Sequence, residues 1–327
     1  MRRHRTIFIA VIGILCFLLT SCSFFSREET NLEPEDQIPT SQMEDEESDL
    51  RKTVLYYQDN EGYLVPVMRQ IPWEEGIGKA ALSRLISTDE NMKDAQTYGL
   101  NTLIPEGTQI DLNIKDGLAI VDLSKEALDC DDAVHEANMV AGIVNTLIEF
   151  PAVEKVQILL EGKADKKLKF GTDISKVFEK IDLNPEVAGE DVDVASAFKV
   201  VVYYEDEAGA YLVPVTRFTK AKASLEVALD ELLNGPSEES SLTSSIPKGS
   251  RINSVDVSEG IATIDFSEEF QELAESVDKE RLVLKSIMLT CQQFPEIEEV
   301  KITVDGNDYI PGDIENYIAP TFVNEYE

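Results

Sequence analysis

The chain is expected to be an α+β protein made of two tandem copies of a two-layer domain. Each copy is read as a mixed sheet of about five strands, in the order ββαββαβ, with two helices packed on one face. The first observation behind this is that the sequence is written twice: VLYYQDNEGYLVPVMR from Val54 returns as VVYYEDEAGAYLVPVTR from Val201, and GLAIVDLS from Gly117 returns as GIATIDFS from Gly260. The second is the spacing of the copies, roughly 145 residues, which leaves each enough chain for a core of its own, unlike the short units of a solenoid. The third is that apolar stripes of helical period alternate with short apolar runs bounded by Gly, Asp and Pro. Two helices on one side of one sheet is the simplest arrangement that buries both stripes.

Each copy opens with a strand, Thr53 to Gln58 or Lys199 to Glu205, and an acidic turn containing Gly62 or Gly209. The YLVPV strand that follows contains Pro66 or Pro214, which has no N–H for a ladder, so it belongs at a sheet edge or a bulge. The next helix is marked in the second copy by Leu225, Ala228, Leu229, Leu232 and Leu233, and Asn234-Gly235-Pro236 stops it. The first copy keeps the stripe as Gly78, Ala81, Leu82, Leu85 and Ile86, but Ser87-Thr88-Asp89 replaces the stop, so the repeats should differ there. A loop with Ile104-Pro105-Glu106-Gly107 or Ile246-Pro247-Lys248-Gly249 leads to a hairpin turning at Asp116-Gly117 or Glu259-Gly260. Its second strand ends at Asp122-Leu123-Ser124 or Asp265-Phe266-Ser267, where the serine is placed to cap a helical turn and the aspartates read as turn residues. The second helix carries Val140, Ile143, Val144, Leu147 and Phe150, repeated as Leu284, Ile287, Met288, Cys291 and Phe294, and ends at Pro151 or Pro295. The last strand, Glu154 to Leu160 or Glu299 to Val304, closes on Glu161-Gly162 or Asp305-Gly306. A fainter echo follows in Gly171-Thr172-Asp173-Ile174 and Gly312-Asp313-Ile314.

The N-terminus supplies an address. Met1 to Arg5 is basic, Ile7 to Leu19 is apolar, and Leu19-Thr20-Ser21 precedes Cys22. This is the pattern of a secretory leader that is too short to remain as a spanning helix. Small residues before a cysteine at its end match a bacterial lipobox, which makes Cys22 the acylated first residue of the mature chain. Each buried acyl methylene contributes about 0.8 kcal/mol, so two chains hold a protein on a membrane where one gives only marginal binding. Ser23 to Asp49 is acidic, lacks apolar period, and reads as a self-repelling extended tether. The expected division is therefore a leader over residues 1–21, a tether over 22–50, a first domain over 51–182, a linker over 183–197 and a second domain over 198–327.

Net charge is −34 at pH 7 and becomes more negative when Arg2, Arg3 and Arg5 leave with the leader. Such a surface repels nucleic acid, which is excluded as a partner. No catalytic, cofactor-binding or metal-binding residues are nominated. After loss of the leader one histidine remains, His135, from which neither a triad nor a His-based zinc site can be assembled. Pairs such as Glu74–Glu75 and Glu268–Glu269 are of the type that glycan cleavage uses, but 63 acidic residues produce such pairs by chance. The acidic turns at Asp59-Asn60-Glu61-Gly62 and Asp305-Gly306-Asn307-Asp308 lack the ligand spacing of a calcium loop. Tyr56-Tyr57 and Tyr203-Tyr204 point to opposite faces of their strands and suit packing better than a sugar platform. Cys130 and Cys291 sit at non-corresponding positions of different repeats and are expected to form no structural disulfide, with Cys291, on the apolar stripe of its helix, expected to be a buried free thiol.

These motifs, in this order in both copies and behind a lipobox, resemble the GerM family of bacterial sporulation and germination lipoproteins, whose GerMN domain occurs in tandem. The residues that carry the resemblance are Leu232 to Pro236, Ser245 to Gly249, Asp265-Phe266-Ser267, Phe294-Pro295 and Val304-Asp305-Gly306. The first copy matches through Ile104 to Gly107, Asp122-Leu123-Ser124 and Phe150-Pro151, without the Asn-Gly-Pro step. The resemblance implies a non-enzymatic component of the envelope, anchored by lipid to the outer face of the cytoplasmic membrane and, in sporulating cells, lying between the mother-cell and forespore membranes. Its implied partners are other envelope or sporulation proteins, for which it acts as an assembly scaffold needed for spore germination. The alternative is an envelope lipoprotein that binds peptidoglycan or a small ligand.

Overall fold

The computed structural model of the chain describes residues 50–72, 76–164, 167–189, 192–312 and 318–326. The leader, Cys22, the tether, Trp73, Glu74–Glu75 and Asp313-Ile314 lie outside the described residues. The first repeat runs β1 (Leu50–Asp59), β2 (Leu64–Pro72), α1 (Ile77–Ser83), α2 (Asp89–Gln96), β3 (Leu100–Asn101), β4 (Ile110–Lys115), β5 (Gly117–Leu123), α3 (Ala133–Ile148), β6 (Val153–Leu160) and β7 (Val177–Phe178). After β8 (Glu186–Val187), the second runs β9 (Phe198–Glu205), β10 (Leu212–Thr219), α4 (Leu225–Asn234), β11 (Ile252–Ser258), β12 (Ile261–Phe266), α5 (Val277–Gln292), β13 (Glu299–Val304) and β14 (Asn307–Asp308).

The α+β class and the tandem order are as expected, and the strands of each repeat are shared between two sheets. Their orders are β2-β1-β3 and β4-β5-β6-β7 in the first repeat, and β8-β10-β9 and β11-β12-β13-β14 in the second. The mixed character lies in the four-stranded sheets, where β5 is parallel to β6 and β12 to β13. The single five-stranded sheet is corrected because α3 packs against both β1 and β6. Its residues Met139 to Leu147 are buried without a break. A helix on one face of a single sheet would show an outer stripe to water; this one is enclosed.

The enclosure is tight. A Cβ on Gly142 would stand 2.2 Å from Leu103 Cδ1 and 3.6 Å from the Tyr56 carbonyl oxygen. At the equivalent place in the second repeat, Ser286 Oγ donates to the Tyr203 carbonyl at 2.6 Å. The hairpin turns have positive φ at both central residues, 51° and 80° at Asp116-Gly117 and 52° and 83° at Glu259-Gly260. That is the turn whose twist matches the strands, and glycine enters it without strain.

The repeats diverge after their first helix. In the second, Ser224 caps α4 by accepting the Val227 N–H at 3.3 Å, and Gly235 with φ 78° ends it. In the first, α1 stops at Ser83, short of Leu85 and Ile86, and Thr88 starts α2 by accepting the Asn91 N–H at 3.2 Å. Ser124 and Ser267 occupy cap positions without capping. Their hydroxyls instead accept the Gln109 and Arg251 N–H groups, at 2.9 and 3.0 Å, and donate to Glu126 and Glu269. Each serine thus ties the start of one strand to the end of its hairpin partner.

Two buried glutamates hold the chain that trails each repeat. Glu136 on α3 accepts the Phe170 and Thr172 N–H groups at 2.7 and 2.9 Å. Its counterpart Glu280 on α5 accepts the Tyr309 hydroxyl at 2.6 Å and the Gly312 N–H.

The repeats meet along β2 and β10. Asn184 donates from Nδ2 to the Leu64 and Pro214 carbonyls at 2.9 and 2.8 Å, and its Oδ1 accepts the Leu64 N–H at 2.8 Å. Asn324 donates to the Leu212 and Pro66 carbonyls at 2.8 and 3.0 Å and accepts the Leu212 N–H at 2.9 Å. Leu64 and Leu212 occupy the same place in YLVPV, as do the prolines, so the two clasps are related by a local two-fold. The strands therefore run in opposite directions. The expected edge position of the proline strand holds: β2 is an edge, and β10 has only the two-residue β8 beyond it.

Replacing Glu280 or Glu136 with alanine strands buried donors, and each substitution is expected to cost about 2–4 kcal/mol. The measurement is the urea midpoint; Glu→Gln, which keeps an acceptor, should lose less than half as much. Burial pushes the Cys130 and Cys291 thiols up to about 12 each. Thiolate is the reactive form, so iodoacetamide at pH 8 should leave both unlabelled in the native chain and modify both in urea, as read by peptide mass mapping.

Candidate functional site

The polar groups singled out in the sequence are used by the fold. His135 Nε2 lies 2.9 Å from the Leu103 carbonyl and Nδ1 lies 3.7 Å from the exposed Asp131 carboxylate, at the first turn of α3. Asp122 accepts the Gly162 N–H at 2.8 Å, and Asp265 accepts the Gly306 N–H at 2.8 Å and the Thr303 hydroxyl at 2.6 Å. Those bonds to the ionised form, led by Thr303, lower the Asp265 pKa. Neither aspartate is itself the turn residue that the sequence suggests: Asp122 lies in β5 and Asp265 in β12, and each carboxylate holds the glycine N–H of the turn after β6 or β13. Glu268 and Glu269 lie in the first turn of a short 3₁₀ helix, where Glu269 is bound to Ser267 and Arg251.

The acidic turns are similarly engaged. Asp59 accepts the Glu61 and Tyr63 N–H groups at 2.9 and 2.8 Å, and Asp206 does the same for Ala210 and Tyr211 at 2.6 and 2.9 Å. Asp305 accepts from Asn253 at 3.1 Å and Asp308 pairs with Lys301 at 2.7 Å. No cluster of three His, Cys, Asp or Glu side chains able to hold a metal occurs among the described residues. No helix among them is long and apolar enough to cross a membrane.

The feature with the form of a site is the seam. A cavity of about 410 Å³ lies across the local two-fold, lined by Val54, Tyr56 and Pro66 and by their counterparts Val201, Tyr203 and Pro214. Tyr56 donates to Glu149 at 2.8 Å, and Lys180 reaches the same carboxylate at 3.4 Å. Burial raises both phenols, Tyr203 to about 12. Neutral phenols, prolines and valines can bury an apolar group; the two carboxylates in the lining are already engaged, Glu149 by Tyr56 and Lys180 and Asp182 by Lys199. Tyr57 and Tyr204 pack in the core, as their strand positions suggested.

Beside the seam, Arg69 and Arg217 close the YLVPV strands in different ways. Arg217 is 5% exposed, pairs with Glu186 at 3.1 Å and donates to the Gly235 carbonyl at 2.7 Å. The Asn-Gly-Pro stop thus provides an acceptor for a buried cation. The first repeat lacks the stop, and Arg69 pairs with Asp94 on α2 at 2.6 Å. Sequence reading placed Asn184 at the head of a linker, did not note Asn324 and did not give Glu280 a role. The signal for the glutamates was a carboxylate recurring at one place on the two equivalent helices, Glu136 ahead of Val140 and Glu280 ahead of Leu284.

A family model described as Germane, sporulation and spore germination, matches residues 54–166 and 201–310. The spore germination protein GerM of Bacillus subtilis (strain 168) is 28% identical over 336 residues, covering 91% of each chain. The solved tandem GerMN domains of the sporulation protein GerM from Bacillus subtilis superpose with a TM-score of 0.67 at 27% identity, covering 85% of this chain and 97% of that one. These relatives are named for sporulation and germination and not for an enzymatic activity. With both halves matched and the paired architecture shared, this chain belongs to the Germane family and is a sporulation- and germination-related protein with tandem GerMN domains.

Proposed function

We propose that this chain is a lipid-anchored, extracytoplasmic assembly protein that scaffolds an envelope complex during sporulation and is needed for spore germination. The observation that carries the reading is the seam: two homologous folded bodies are clasped into one unit in which His135, Cys130, Cys291 and the acidic residues named above serve the fold. What such a body offers a partner is shape and surface, not a reagent. Removal of the leader over residues 1–21 leaves Cys22 as the lipid anchor, and the acidic stretch after it supplies reach from the outer face of the cytoplasmic membrane. In a sporulating cell that address is the space between the mother-cell and forespore membranes. The partners are other envelope or sporulation proteins, and the chain is not an enzyme.

In the sporulating host, the full chain should fractionate with membranes and incorporate labelled palmitate. Cys22→Ala should lose the label, leave the membrane fraction and fail to restore germination to a strain lacking the gene. Membrane retention of Cys22→Ala would defeat the anchoring step, and normal germination without the gene would defeat the role. Saturable sedimentation of the purified protein with peptidoglycan would favour a wall-binding module, and clearing on a cell-wall zymogram would make it an enzyme.

A further inference from the structure

Residues 321–326 come back from the second repeat and lie on the first through a single parallel bridge at Glu325. Met68 donates its N–H to the Asn324 carbonyl at 2.8 Å and accepts the Tyr326 N–H at 3.2 Å, in parallel register with Glu325. The Asn324 side chain makes its three bonds to Leu212 and Pro66. The Tyr326 ring stacks on Tyr98 with centroids 3.9 Å apart and planes 9° from parallel. Main chain, amide and aromatic ring are thus each recognised by a separate feature of the seat.

The second repeat has the same seat, already filled. On β10 the occupant is the segment joining the repeats: Leu183 accepts the Thr216 N–H at 2.9 Å, Asn184 makes the matching bonds, and Glu186 and Val187 pair in parallel with Arg217 and Phe218. Two separate segments of this chain therefore set an aliphatic residue followed by asparagine against a proline strand with matching side-chain bonds, while their backbones differ: Asn184 is left-handed with φ 45°, and Leu183, not the asparagine, accepts the strand N–H. The occupant of β2 is held more weakly than the structure around it. It has two main-chain bonds where β1 and β2 share a nine-residue ladder. Elements with few buried contacts and edge hydrogen bonds open first. Phe322, Val323 and Asn324 form one wall of the seam cavity, so lifting the segment uncovers Met68 and Pro66.

We propose that the edge of β2 is a strand-docking site that residues 321–326 occupy in cis as a displaceable strap, and that in trans it takes an extended peptide of the same chemistry. That chemistry is an aliphatic residue, then asparagine, then an aromatic two places on, as in Val323-Asn324-Glu325-Tyr326. Main-chain bonds provide attachment, while the amide and the ring provide selectivity, as in strand addition generally. This site stands whether or not the chain is lipid-anchored.

The test uses the full chain and a synthetic peptide spanning Pro320 to Glu327. In the double variant Asn324→Ala with Tyr326→Ala, amide exchange at Met68 and Leu212 should accelerate about tenfold while protection in α3 and α5 stays unchanged. Adding the peptide should restore protection at both amides, and a peptide carrying Asn324→Ala should not. Unchanged exchange at Met68 and Leu212, equal acceleration throughout both repeats, or no rescue by millimolar peptide would each overturn the proposal. If the double variant does not fold, Tyr98→Ala removes only the ring seat. It should speed Met68 exchange about threefold; no change at Met68 there overturns the proposal as well.

Discussion

Two strands that face each other and cannot pair set the constraint under which this molecule is built. Pro66 and Pro214 have no N–H, so β2 and β10 cannot complete a ladder across the seam. Their carbonyls would still be costly to bury without donors. One asparagine from each repeat's trailing chain meets that need, since a carboxamide carries both a donor and an acceptor and so reproduces a peptide group from a side chain. Alanine at either place leaves carbonyls bare, and aspartate cannot donate. Continuous sheet formation is replaced by two local clasps, and the prolines are compatible with the edge because the edge is finished by side chains.

This arrangement explains why trailing segments that look like linker and tail are structural. Each crosses to the other repeat and pairs briefly in parallel with a proline-bearing edge. The glutamates Glu136 and Glu280 hold the chain just upstream, so the crossing segments start from defined positions. A buried carboxylate accepting main-chain N–H groups is a strong anchor because each bond is charge-assisted. The cores, the crossings and the seam therefore depend on one another, and the two repeats behave structurally as one body.

Much of this was legible in the sequence, and what was not has a common cause. Periodicity exposed the helices, because Val140, Ile143, Val144 and Leu147 recur at helical spacing and are buried. Pro66 and Pro214 announced an edge by chemistry alone. Strand partners were hidden: alternation says that a run is a strand and not which strand lies beside it, so the split of each repeat into two sheets around α3 or α5 was out of reach. Asn184 and Asn324 were equally hidden, since a single polar residue in an irregular stretch has no period. Ser124 and Ser267 looked like caps because cap and strand-tie positions attract the same hydroxyl.

The internal duplication provides its own control on which surfaces the fold requires. Across the seam the repeats agree: Tyr56 with Tyr203, Pro66 with Pro214, Asn184 with Asn324. On the outward face of the four-stranded sheets they agree in part, with Asp122 matching Asp265 and Leu118 matching Ile261, and differ where the first repeat has Ile120 and Leu159 and the second has Thr263 and Thr303 in matching register. Ile120 and Val177 are exposed on the first face and Ile261 on the second. The prolines and asparagines of the joint are kept in both halves although Met68 and Thr216 beside them differ, so what the duplication preserves is the clasp itself, and the clasp fixes the geometry in which both outward faces are presented.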